Sequence, residues 1–143
     1  MKCIGTILCR GNPDACRLSV QASGKALSRQ AWNLVPAIRA LDAALGDPAR
    51  RDVREVHPEL SFRELDPAVA DPKVTARGSA QRLRALRRVM DVDLLEAPPL
   101  VPAVDALDAC AAAWSARRIA DGDARSVGDD TRDSRGRPMR IWW

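Results

Sequence analysis

The chain has 143 residues, the length of one domain with little room for a second, and hydrophobic residues make up 46% of it. That share is enough for a core and argues against wholesale disorder, but aromatic residues are only 3%, so the core must be aliphatic and rich in alanine. A formal net charge of +4 is too small to establish nucleic-acid binding, and no apolar run approaches the ~18 residues of a membrane span.

The N-terminal residues contain one lysine and a short apolar run, which could form a strand over residues 1–9. The run is too short for a secretory signal, and no cleavage site of small residues follows it. The four cysteines, at positions 3, 9, 16 and 110, form no Cys-x-x-Cys pair and have no histidine nearby. Neither a zinc site nor a disulfide framework is therefore predicted, and we expect a reducing, cytoplasmic environment.

Helix signals dominate the next part of the chain. The tripeptide Asn12–Asp14 is typical of a helix start, and Gly24 marks where that helix ends. Ser28 can cap a second helix, whose buried face is formed by apolar residues at helical spacing, namely Ala31, Leu34, Val35, Ile38, Leu41 and Leu45. Because Pro36 lies inside this pattern, we expect a kink or a break there.

The middle of the chain alternates between extended and helical patterns. Residues 52–57 predict one short strand, on which Glu55 and His57 share a face, and Pro58 ends it. Residues 59–65 suit a short helix or turn. Ser79 can cap the next helix, and the proline-rich residues 97–102 form either a stiff linker or a short buried strand.

Charge is unevenly distributed around that helix. Residues 77–90 contain five arginines and no acid, at positions 77, 82, 84, 87 and 88, whereas residues 91–116 contain five acids and no base. The arginines are compatible with a solvated helix face, which is the favoured interpretation, or with a stripe that faces phosphates. Both interpretations stay open from the sequence.

A strong helix is predicted from Pro102 or Ala103 to about residue 120, with Gly122 as its end. Asp105 and Asp108 are three residues apart and are therefore neighbours on its surface. Residues 121–138 are rich in Asp, Gly, Arg and Ser and predict a loop, and residues 139–143 predict a last strand.

Carboxylates provide the main chemical signal, because the sequence contains no nucleophile elbow, no P-loop and no G-x-G-x-x-G motif. Glu55 and Glu59 surround the single histidine, His57, and Asp105 with Asp108 forms a second cluster. Carboxylate clusters that converge in space suit Mg²⁺, which binds oxygen ligands. The simpler alternative is that acids near helix N-termini are favoured by the helix dipole, and that the histidine is structural.

Five stretches, in the same order, resemble those of one known family. They are Leu27 to Arg39, Glu55 to Phe62, Lys73 to Gly78 followed by Arg82 and Leu83, Asp105 to Ala109 followed by Trp114 to Arg118, and Gly136 to Trp142. The Glu-Val-His-Pro-Glu-Leu-Ser-Phe segment is the most recognisable of them. Together they are similar to the predicted RNase H-like nucleases of bacteria and archaea, also known as domain of unknown function 429.

The resemblance implies an RNase H-like α/β fold and metal-dependent cleavage of phosphodiesters. The catalytic candidates that it implies are four acids and one histidine, namely Glu55, His57, Glu59, Asp105 and Asp108. Among them, Glu55 and Asp108 would hold Mg²⁺ or Mn²⁺. Lys73 and Arg82 would contact the phosphates of a nucleic-acid substrate.

The sequence also departs from the family pattern. Ile7 stands where the first-strand aspartate would be, the second family aspartate is missing, and Val104 replaces the first of the paired aspartates. We therefore expect residues 13–143 to be the C-terminal part of the domain, after an aberrant or non-homologous segment of residues 1–12. The expected fold is a partial α/β fold, with a short central sheet and flanking helices, which is helix-rich because N-terminal strands are missing.

Three hypotheses about function follow. The first is an RNase H-like nuclease that is inactive in this form, because a metal site without the first-strand aspartate lacks its central ligand. The second is a non-catalytic remnant that binds nucleic acid or protein through the arginines of residues 77–88. The third is a translated fragment without function. In each case we expect no membrane association, and we expect self-association through uncovered apolar surface.

Overall fold

The computed structural model describes residues 12–46, 53–129, 131–133 and 136–143. They form a helix-rich α/β fold with one small, mixed, three-stranded sheet, which confirms the predicted fold class. The strand predicted for residues 1–9 lies outside the described residues. Backbone contacts divide the chain into two compact units, one made of residues 1–53 and 130–139 and the other of residues 54–129 and 140–143.

Among its described residues, the first unit contains three helices, α1 (Asn12–Ser23), α2 (Arg29–Asn33) and α3 (Val35–Leu45). As predicted, the Ser28 side chain caps α2 by accepting a hydrogen bond from the Ala31 amide. The predicted break is also present, since α2 and α3 are separate helices joined at Leu34. Pro36 lies in the first turn of α3, where its missing N–H group leaves no helical hydrogen bond unmade.

A short bridged turn near the C-terminus belongs to the same unit. Arg132 and Pro138 form an isolated antiparallel bridge, and Gly136 adopts a left-handed conformation with a φ of 77°. The Arg137 guanidinium donates to the Asp42 carboxylate of α3 at 2.6 Å. This ion pair connects the turn to the C-terminal half of the helix.

The second unit contains three α-helices, a single 3-10 turn at Leu94–Glu96 and the sheet, all within its described residues. Its helices are α4 (Pro58–Leu65), α5 (Ala76–Leu86) and α6 (Ala103–Asp121), and its strands are β1 (Glu55–Val56), β2 (Ser126–Val127) and β3 (Ile141–Trp142). Gly122 ends α6 with a φ of 82°, as its position in the sequence predicts. Residues 59–65, for which a short helix or turn is predicted, are helical, and the last strand predicted within residues 139–143 is present as the two residues of β3.

The sheet has the strand order β1-β3-β2. Glu55 of β1 pairs in parallel with Ile141, and Ser126 of β2 pairs antiparallel with Trp142. The strand predicted for residues 52–57 is shorter in the structure, because His57 already forms the N-cap of α4 and Pro58 is its first residue. β2 falls where the sequence predicts only loop, since two residues are too few to produce an alternating pattern.

The core of the second unit is aliphatic apart from one phenylalanine. Its buried residues are Phe62, Val69, Ala85, Leu86, Val92, Leu107 and Ala111. Helices α4, α5 and α6 all contribute to it. Because this core lies between the three helices, polar side chains at their edges are brought close together.

The N-cap of helix α5 lies four residues before Ser79, the predicted cap position. Thr75 is the N-cap, and its hydroxyl accepts a hydrogen bond from the Gly78 amide. Ser79 instead donates from its hydroxyl to the Lys73 carbonyl oxygen at 2.9 Å. A Cβ atom at Gly78 would lie 2.1 Å from the Pro72 carbonyl oxygen, so only glycine allows α5 to pack this closely against the preceding loop.

Candidate functional site: a charged network between three helices

Glu59 and Arg82, two of the predicted site residues, form an ion pair between α4 and α5. The Arg82 Nε and Nη2 atoms donate to the two Glu59 carboxylate oxygens at 3.2 and 2.6 Å. The Nη1 atom donates to the carbonyl oxygens of Asp71 and Gly78 at 3.0 and 2.9 Å. Four hydrogen bonds thus use most of the donor capacity of this guanidinium.

Burial makes this pair part of the framework of the unit. The Arg82 side chain is only 5% exposed, and its guanidinium lies 5.5 Å from the centroid of the Phe62 ring. A buried guanidinium has to be paired, because an isolated charge is unstable away from water. The phosphate contact predicted for Arg82 would require it to leave these partners.

Lys73 and Asp108 form a second ion pair, between the loop before α5 and helix α6. The Lys73 ammonium donates to Asp108 Oδ2 at 2.8 Å, and the two side chains are 40% and 22% exposed. The other oxygen, Oδ1, is buried and has no hydrogen-bond partner among the described residues. Since a carboxylate oxygen can accept more than one hydrogen bond, Asp108 retains unused acceptor capacity.

The loop of residues 71–75 connects the two ion pairs. The Asp71 carbonyl oxygen accepts from Arg82, Lys73 follows two residues later, and Thr75 caps α5. We call the two pairs and this loop the charged network. It brings four predicted residues together, namely Glu59, Lys73, Arg82 and Asp108.

The remaining candidates make no such contacts. The side chains of Glu55 on β1, His57 at the start of α4 and Asp105 in the first turn of α6 are exposed, and no hydrogen bond or ion pair of theirs is present in the described part of the chain. The His57 backbone does contribute, since its amide donates to the Trp142 carbonyl oxygen at 3.2 Å. The structure therefore assigns His57 a place at the junction between sheet and helix.

The implied cation can be tested against the donor chemistry of these residues. Within the described ranges, no group of three or more His, Cys, Asp or Glu side chains is close enough to hold a metal ion. Mg²⁺ often uses only one or two carboxylates, completed by water and substrate phosphates. The buried, unpartnered Oδ1 of Asp108 is the type of ligand that such a cation takes, so this residue fits the implied metal.

The arginines of residues 77–88 are largely engaged within the protein. Arg77 pairs with Asp71 at 3.0 Å, and Arg88 pairs with Asp66 at 3.3 Å. Arg87 donates to the Val92 carbonyl oxygen, and Arg82 is buried as described above. Among the five, Arg84 alone makes no such contact with a described residue. It lines a shallow surface depression with Arg77, Ala80 and Gln81.

One feature of the site region was not predicted from the sequence. The hydroxyls of Ser61 on α4 and Ser115 on α6 are fully buried and lie 2.7 Å apart. Ser115 could have been recognised as a small core residue, because it follows Leu107 and Ala111 at intervals of four residues. Its hydroxyl also donates to the Ala111 carbonyl oxygen, so burial leaves it hydrogen-bonded.

A comparison with known families gives one match. The model of the family described as "Protein of unknown function (DUF429)" matches residues 8–133. No curated protein and no solved structure matches the chain. In the part of the chain that the structure describes, no helix combines the length and the apolar character needed to cross a membrane.

Proposed function

The chain belongs to the family described as Protein of unknown function (DUF429), and from that premise we propose that it is a metal-dependent nuclease of the RNase H-like superfamily. The observation that supports this proposal is the Asp108 carboxylate, which has one buried oxygen without a hydrogen-bond partner among the described residues. A buried acceptor of this kind is favourable only when something, such as a cation, binds to it.

Each part of the charged network has a role under this proposal. Asp108 would hold Mg²⁺ or Mn²⁺ through Oδ1, and Asp105, one turn earlier on α6, is the nearest further acid on that helix. The bound metal would polarise a phosphoryl oxygen and activate the attacking water. Arg82 and Glu59 position the loop that carries Lys73, and Lys73 balances the charge of Asp108.

We expect cation binding without efficient turnover. Ile7 and Val104 replace two acids of the family pattern, and fewer carboxylates leave the attacking and leaving oxygens without the clamp that a two-metal site provides. Glu55, an exposed residue of β1, is the further candidate ligand, and it lies outside α6.

The test is a Mn²⁺ titration of the full chain, with free Mn²⁺ measured by electron paramagnetic resonance. Asp108→Asn should weaken Mn²⁺ binding by at least about tenfold, because a neutral amide loses the charge attraction. Asp91→Asn, which removes an exposed acid, is the matched control and should bind as the unaltered chain does. Equal affinity in the unaltered chain and in Asp108→Asn would contradict the proposal.

Labelled DNA and RNA, single- and double-stranded, then test for cleavage with Mg²⁺ and with Mn²⁺. We expect little or no product from the 143-residue chain. If cleavage occurs, it should be lost in Glu55→Gln and in Asp108→Asn. Cleavage that survives both substitutions would mean that these acids are not the metal ligands.

The alternative function, a non-catalytic remnant that binds nucleic acid, has less support. Such binding needs free cations on one face, but four of the five arginines in residues 77–88 already contact protein groups. Salt-dependent binding without cleavage remains the observation that would favour it.

Self-association and a cytoplasmic location also stay predictions. Sedimentation over a range of protein concentrations tests the self-association.

A further inference from the structure

Lys73 is the counter-ion of Asp108. Its ammonium contacts only one of the two carboxylate oxygens, at 2.8 Å. The second oxygen is buried and makes no hydrogen bond to a described residue. Asp108 is therefore neutralised through one oxygen, while the other is a buried acceptor without a partner among the described residues.

The carboxylate of Glu59, in the other ion pair, differs from that of Asp108 because both of its oxygens accept a hydrogen bond. Arg82 occupies both oxygens of Glu59 with a planar, bidentate guanidinium that is 5% exposed. Lysine instead provides a compact charge on a flexible stem, and the Lys73 side chain is 40% exposed. Its ammonium can thus move into water by breaking one hydrogen bond, whereas the Arg82 guanidinium would have to break four.

The backbone of Lys73 is nevertheless held in place. Its carbonyl oxygen accepts a hydrogen bond from the Ser79 hydroxyl at 2.9 Å. The close approach of Gly78 to Pro72 restrains the same loop. Because this backbone is fixed, only the Lys73 side chain can move. An ammonium that leaves Asp108 therefore stays close to this carboxylate.

From these contacts we infer that Lys73 is an exchangeable counter-ion, which neutralises Asp108 in the absence of metal and is displaced from this carboxylate by a divalent cation. The displaced ammonium is then available to an anionic group such as a phosphodiester. This inference rests on the proposed function, since it assumes that Asp108 is a metal ligand. It adds that the protein's own lysine limits the affinity for the metal.

The experiment compares Mn²⁺ affinity and melting temperature in the full chain and in Lys73→Met. Because two cations compete for one carboxylate, removing the ammonium should tighten Mn²⁺ binding by about tenfold or more. The same variant should melt at a lower temperature without metal and gain more from added Mn²⁺ than the unaltered chain does. Lys25→Met is the matched control, because it removes the same charge from an exposed position in the other unit.

Lys73→Arg provides a second variant that keeps the positive charge and hence the fold. A guanidinium can contact both oxygens of Asp108, so Mn²⁺ binding should become several-fold weaker than in the unaltered chain. Circular dichroism confirms that each variant is folded before its affinity is compared. If Lys73→Met does not fold, the Lys73→Arg result decides the question.

The outcomes separate this inference from the proposed function. Tighter binding in Lys73→Met and weaker binding in Lys73→Arg support the exchange, whether or not nucleic acid is cleaved. Unchanged affinity in both variants, with binding lost in Asp108→Asn, overturns the exchange and leaves the metal site in place. No Mn²⁺ binding by any of these proteins overturns both proposals.

Discussion

The two ion pairs of the charged network resemble each other in charge but differ in how completely each carboxylate is satisfied. Arg82 is buried and makes four hydrogen bonds, and both oxygens of Glu59 are occupied. Lys73 and Asp108 are partly exposed and share a single contact, and one Asp108 oxygen has no partner among the described residues. The difference indicates that the first pair maintains the packing of α4 against α5, while the second is the pair for which we propose exchange with a metal ion.

Stability measurements can separate these roles. The second unit contains three of the four tryptophans, Trp114, Trp142 and Trp143, and the first unit contains Trp32. If Trp32 is replaced by phenylalanine in every variant, tryptophan fluorescence reports only on the unit that contains the charged network. The free energy of unfolding then follows from urea titration, provided that the slope with denaturant is unchanged between variants. The predictions below run from the largest expected effect to the smallest.

Gly78→Ala should have the largest effect, because it disturbs both ion pairs. The added Cβ would meet the Pro72 carbonyl oxygen at 2.1 Å, so the loop that carries Lys73 and the Asp71 carbonyl must move. We expect the free energy of unfolding to fall by about 3 kcal/mol or more, or the second unit to lose its fold. Ala80→Ser, at an exposed position of the same helix, is the control, and a similar loss in both would contradict this explanation.

Arg82→Met should lower the free energy of unfolding by about 3 kcal/mol, because it leaves Glu59 without its partner and two backbone carbonyl oxygens without their donor. Glu59 is 31% exposed, so water can partly compensate, which places the value at the lower end for a buried pair. A loss below about 1 kcal/mol would mean that the pair is not structural.

Lys73→Met should cost only about 1 kcal/mol, since the Lys73 side chain is 40% exposed and makes one hydrogen bond. A double-mutant cycle with Asp108→Asn isolates the energy of this pair. A loss as large as that of Arg82→Met would remove the contrast between the two pairs and weaken the case for an exchangeable lysine.

Arg77→Met should have the smallest effect on the free energy of unfolding among these variants. Arg77 pairs with Asp71 on the surface, and its side chain is 81% exposed. We expect a change within about 0.5 kcal/mol, because exposed ion pairs contribute little to stability. A larger loss would show that the Asp71 side chain, and not only its backbone, helps to hold the loop.

Local signals in the sequence were sufficient for much of the fold. The Asn12–Asp14 start, the Ser28 cap, the break near Pro36 and the Gly122 end all depend on backbone chemistry within a few residues, and all are present in the structure. The same reasoning failed at Ser79, because Thr75 offered an equally good cap and the approach of Gly78 to Pro72 favoured the earlier start.

The sequence by itself determined which residue types are available at the site, namely acids beside His57 and on α6, and basic residues before and on α5. Only the tertiary structure decided that Glu59 pairs with Arg82 and Lys73 with Asp108, since each pair joins residues far apart in the chain. Their partners depend on how α4, α5 and α6 pack around a shared core. Packing at long range also leaves one oxygen of Asp108 buried without a partner, and no local pattern in the sequence encodes that feature.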